Sequence, residues 1–93
     1  MIKELLAKYI NATLDRTLVK DLALTAKIVS VPTEILGDWI ILQDNTGTLE
    51  AVTIKKGILT FLKEHKGDIL KLKGRLDKTE FGNIAFSIEE ILE

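Results

Sequence analysis

Apolar and polar residues alternate along this chain with two different periods. Ile2, Leu5, Leu6, Tyr9 and Ile10 recur at spacings of three and four, with Lys3, Glu4 and Lys8 between them. That is the stripe of an amphipathic helix. The stretch NATLDRT that follows is made of turn and capping residues, so residues 1–17 read as a helix and connector ahead of a domain at 18–93. The helix is expected to pack over one end of that domain; docking onto a partner is the alternative.

From Leu22 the period falls to two. Leu22, Leu24, Ala26 and Ile28 share one face and Ala23, Thr25, Lys27 and Val29 the other, which predicts a first strand. Pro32 and the Gly37-Asp38 pair end it. WIILQ predicts a second strand with Ile40 and Leu42 inward and Trp39, Ile41 and Gln43 outward. DNTGT is a hairpin turn in which Asp and Asn side chains bond backbone amides and Gly47 takes positive φ. LEAVTI returns as a third, antiparallel strand. Ile58, Phe61, Leu62 and His65 then mark a short helix that Gly67 ends. DILKLKGRL is a fourth strand, with Leu70, Leu72, Gly74 and Leu76 on one face and Lys71, Lys73 and Arg75 on the other. DKTEFGN is a loop carrying Lys78 and Phe81, and IAFSI is a fifth strand burying Ile84, Phe86 and Ile88. Ala85, Ser87 and Glu89 are expected to face out.

The predicted class is therefore mainly β. The pattern gives five strands, a helix between the third and fourth, and an extra helix in front. At 93 residues there is room for one core, and a closed barrel uses such a chain better than an open layer. A helix between strands three and four is how a five-stranded Greek-key barrel plugs one end.

This order resembles the oligonucleotide/oligosaccharide-binding (OB) fold. It is most similar to nucleic-acid-binding OB domains of the replication protein A and single-stranded DNA-binding type, the archaeal ones in particular. LTAKIVSV, IILQDNTGTLEAV and GDILKLKGRL carry the resemblance. Within them, Ile40, Leu42, Asp44, Thr46, Gly47 and Leu49 form one motif, and Gly67, Asp68, Ile69, Leu70, Leu72 and Gly74 another. The likeness spans roughly residues 19–92. It departs from the family in a short loop between strands one and two, which removes surface that binding members use.

The resemblance implies a ligand across the outer face of strands two and three, flanked by the loops joining strands one to two and four to five. Bases need flat π surfaces and phosphates need cations. Trp39 and Phe81 are the candidate stacking residues; the competing reading has Trp39 covering a barrel edge and Phe81 stapling its own loop. Ile41 and Gln43 lie on the same outer face. Lys27, Lys55, Lys71, Lys73, Arg75 and Lys78 are the candidate phosphate contacts, against a plain role in solubility. Glu50, near that face, opposes an anionic ligand. Phe61 and Phe86 follow the core pattern.

Charge adds a second line. The net charge is −1, yet residues 55–78 sum to +5 and the segment from Thr79 onward to −4. A basic middle suits a polyanion groove or simply a solvated surface. There is no cysteine, hence no disulfide or thiolate metal site. No apolar run approaches a membrane span, and charges interrupt the first segment as a secretory signal would not allow. The expected setting is intracellular and soluble, with a Lys-, Glu- and Ile-rich composition leaning toward a thermophile.

Catalysis is not expected. His65 is the single histidine and has no nucleophile at a useful spacing. Glu89 and Glu90 are adjacent, so on a strand they face opposite ways. No phosphate loop or metal-ligand spacing appears, and no cofactor is implied. The expected partner is single-stranded DNA or RNA. The alternative is a protein-interaction OB domain that assembles with another OB-fold subunit in a larger nucleic-acid-binding complex.

Overall fold

Four of the five strands follow from the two-residue period, and the first is longer than that period reveals. In a computed structural model, which describes residues 1–93 apart from Asp15, Leu36 and Glu93, β1 runs Arg16–Ser30, β2 Ile40–Gln43, β3 Thr48–Val52, β4 Ile69–Lys78 and β5 Ile84–Ile91. Helix α1 covers Ile2–Tyr9, and α2 covers Lys56–Glu64 between β3 and β4. The strands close into a barrel in the order β1-β2-β3-β5-β4. Among the described residues only β3 and β5 pair in parallel. Parallel neighbours need a long crossover, and α2 with β4 supplies it. The expected Greek-key barrel of OB type is thus the architecture found.

β1 begins six residues before Leu22 because its alternation slips. Its register with β4 shifts between Thr17 and Val19 and again between Val19 and Leu22. Asp21 adopts φ 53° there. A bulge inserts a residue and breaks the in/out rhythm, which hides this part of the strand from a periodicity reading. β5 extends to Ile91, beyond the IAFSI stretch. Ala85 keeps its outer-face register opposite Glu50 and Asp77 yet is only 4% exposed.

The core fills the barrel with the predicted inward residues. Leu24, Ala26 and Ile28 meet Ile40, Leu42, Leu49, Ala51, Leu72, Leu76, Phe86 and Ile88, while Leu59 and Leu62 of α2 and Ile2 of α1 complete it. Phe61 packs against this cluster from the half-buried side of α2. The helix α1 is tied down at both ends by barrel residues. Asp44 Oδ2 accepts the Ile2 N–H (2.9 Å) and Thr46 Oγ1 accepts the Lys3 N–H (3.1 Å). These are the orphan donors of a first turn, and Met1 provides no side-chain cap. At the other end Lys78 Nζ donates to the Ile10 carbonyl (2.8 Å).

Two expectations need correction here. Gly47 is not among the residues with positive φ; its amide donates to Asp44 Oδ1 (3.2 Å), and the start of α1 lies against it. Lys78 is not a loop residue. It ends β4 on the inward face and is 6% exposed. Among the described residues no helix is long and apolar enough to cross a membrane.

Candidate nucleic-acid interface

Register places the outer-face residues in rows around the barrel. Ile41, Glu50, Ala85, Asp77 and Thr17 stand side by side across β2, β3, β5, β4 and β1. Val52, Ser87 and Arg75 form the next row. Since Ile40 opposes Ala51, Trp39 arrives at the Val52 end of that second row. It precedes β2 rather than opening it as the WIILQ reading had it. Trp39 is half-buried and belongs neither to the core nor to the half-buried residues packed against it.

The loop after β4 is braced from within. The Thr79 N–H donates to the Asn83 carbonyl (2.8 Å) and the Gly82 N–H to the Thr79 carbonyl (3.1 Å). Thr79 Oγ1 accepts the Asn83 N–H (3.1 Å), and Gly82 takes φ 91°, a conformation that glycine adopts without cost. Asn83 Nδ2 then donates to Glu50 Oε1 (3.1 Å), which fastens the loop to the outer face of β3. What this brace holds out is Phe81, 85% exposed.

Trp39 and Phe81 therefore come from two different loops into one depression of about 710 Å³, which Arg16, Arg75, Asp77 and Asn83 also line. Its charges are largely spoken for. Arg75 Nε donates to both carboxylate oxygens of Asp77 at 3.0 Å, and Lys78, at the border, serves Ile10. Arg16 is exposed and forms no ion pair among the described residues. Glu80 stands on the acidic side. Two rings, one open guanidinium and an amide on one depression are the groups that a flat heterocycle with an adjoining anion would engage.

The other candidates lie elsewhere. Ile41 is half-buried in the row beside the depression, opposite Glu50. Lys27 and Gln43 pair across β1 and β2 and border a different groove. Lys71 and Lys73 face outward on β4, opposite Thr25 and Ala23. Lys55 precedes α2 and donates through Nζ to the Glu89 carbonyl (2.8 Å). The six basic candidates thus do not form one rim. Arg16, Thr79 and Asn83 escaped the sequence reading: the bulges hid Arg16, and the other two read as loop residues.

His65 is held by its surroundings, its Nδ1 3.0 Å from Asp68 Oδ2 and its ring stacked on Phe61 at 4.1 Å. Among the described residues no group of three or more His, Asp or Glu side chains is placed to hold a metal ion. No protein-family model matches the chain, and no curated protein matches it significantly.

Proposed function

We propose that this barrel binds single-stranded nucleic acid, most simply DNA inside the cell, in the manner of the replication protein A-type domains it resembles. The observation that carries the reading is the meeting of Trp39 and Phe81, from the β1–β2 and β4–β5 loops, in one outer-face depression. An 85% exposed phenylalanine on a braced loop has little structural use, and stacking gives it one. Base contacts dominate this site and phosphate contacts are few, because Arg75 and Lys78 are already engaged. The test is Trp39 fluorescence titrated with oligothymidine at low salt. Quenching with saturable binding is expected; unchanged emission and no complex at tens of micromolar strand removes the proposal.

A second reading is an interaction subunit assembled with another OB domain. It is favoured by Ile54 and Ile69, which are 82% and 70% exposed and offer apolar surface that an interface would cover. Sedimentation of the chain separates the two, since a strict monomer that binds oligonucleotide contradicts this reading.

A further inference from the structure

The barrel closes, but β1 keeps an open edge along part of its length. The Ile28 N–H donates to the Asp68 carbonyl (2.9 Å) and the Ile28 carbonyl accepts the Gly67 N–H (2.7 Å). The peptide groups of Ile28 thus point to the β4 side. In an antiparallel pair successive residues address opposite neighbours, so Ala26 and Leu24 also point to β4, and Lys27, Thr25 and Ala23 point away from it. Lys27 meets Gln43. There β2 stops, and the Asp44 amide turns to the Gly47 carbonyl. Ala23 and Thr25 register with β4 alone, and among the described residues their outward N–H and C=O groups have no hydrogen-bond partner.

Two unpaired peptide units on a strand edge are a template for another strand. Beside them runs a groove of about 570 Å³, lined by Ala23, Thr25, Lys27, Gln43, Asn45 and Ile69. Its floor offers the 70% exposed Ile69 as an apolar contact. The charge around it is positive. Lys71 stands opposite Thr25, Lys73 opposite Ala23, and Lys27 ends the row. An added strand would lie about 10 Å from β4, and the short side chains of Ala23 and Thr25 leave the lysines a path across to it. Lys73 already leans that way, 3.9 Å from the exposed Asp21. The groove's own carboxylate, Asp44, is turned to the Ile2 amide of α1 and to the Thr46 and Gly47 amides of its own turn, and Glu90 faces Lys73 from the far side, on β5.

We propose that this edge of β1, at Ala23–Lys27, takes up an extended acidic peptide segment of a protein partner as an additional strand, with Lys27, Lys71 and Lys73 meeting its carboxylates. The site is separate from the Trp39–Phe81 depression and stands whether or not that depression binds nucleic acid.

Residue-resolved amide hydrogen exchange on the whole chain tests this, with an alternating valine–glutamate peptide about eight residues long as the probe. In the free protein the Ala23 and Thr25 amides should exchange about a hundredfold faster than those of Leu24 and Ala26. The peptide should slow them, and an alternating valine–lysine peptide should not. The double variant Lys71→Glu, Lys73→Glu should reverse that choice, and both sites are solvent-facing enough for the barrel to tolerate it. Slow exchange at Ala23 and Thr25 in the free protein overturns the proposal. So does fast exchange that persists in millimolar valine–glutamate peptide, or an equal response to the two peptides. Protection of the same amides by oligothymidine also overturns it, by making the edge a nucleic-acid contact.

Discussion

The carboxylate of Asp44 accepts the backbone N–H of Ile2 at 2.9 Å, so the turn between β2 and β3 caps a helix that lies 42 residues away in sequence. Burial pushes the Asp44 carboxyl upward. That effect is outweighed by hydrogen bonds from the Thr46 hydroxyl, the Ile2 amide, the Thr46 amide and the Met1 amino group, which leave it well below the ordinary carboxylate range. A carboxylate depressed in the folded state stabilises the protein above its unfolded pKa of about 3.9. That stability is lost as pH falls from there toward the folded value. Asp44→Asn should flatten this part of the acid limb, measured as thermal midpoint against pH below about 4. Asp44→Ala should cost about 1 kcal/mol at neutral pH, the usual loss of a helix cap.

Gly74 is the most tightly enclosed of the glycines. A Cβ built there would collide with the Ser87 carbonyl oxygen and stand 3.2 Å from Ile88 Cα. The obstacle is backbone, which cannot swing aside as a side-chain tip does. It coincides with the bulge between Lys73 and Gly74, where β4 and β5 change register. Gly74→Ala should therefore destabilise by on the order of 3 kcal/mol, seen in urea unfolding as a lower midpoint at unchanged slope. Gly57→Ala, with open space around it, is the control.

Much of this was legible from the chain, because a two-residue period survives wherever a strand has one wet face. Leu70, Leu72, Gly74 and Leu76 read as inward and are inward. What escaped was set by contacts between segments distant in sequence. The start of β1 is masked by its bulges. The aspartate of DNTGT looked like turn chemistry alone, and only the docking of α1 gives it a second role. Lys78 keeps the alternation of β4, but a lysine on the inward face is read as a loop residue unless the carbonyl awaiting it is seen. The placing of Trp39 near Phe81 depends on barrel closure, which no local pattern encodes.

Lys78 gives a direct test of that correction. Its ammonium is engaged by the Ile10 carbonyl at the end of α1, so its charge is not on offer to a phosphate. Lys78→Met keeps the buried stem and removes the donor. It should cost about 1 kcal/mol, a fall of about 4–8 °C in Tm for a domain of this size. Oligonucleotide affinity and its salt dependence should stay unchanged. Arg16→Ala should behave oppositely, with stability kept and the log–log salt slope reduced by about 0.7, the value for one phosphate contact on a single strand. Isothermal titration over a range of salt concentrations, paired with thermal melts, separates the two.

Trp39 and Phe81 lie outside the barrel core, so truncating them should affect binding and leave folding nearly untouched. Stacking is worth about 1–3 kcal/mol per base. Trp39→Ala and Phe81→Ala should each weaken oligothymidine binding by about tenfold or more, while Phe81→Trp should retain it. Two rings that clamp one base act as a unit, so the double variant should lose less than the sum of the single losses. If the rings hold separate bases, the losses should add. A binding cycle over the four proteins at one salt concentration distinguishes these cases, with circular dichroism melts as the stability control. Gly82→Ala offers an independent check on the loop. Its φ of 91° strains an alanine although space is free, so the brace that presents Phe81 should loosen. Affinity should then fall in wild type but not in the Phe81→Ala background.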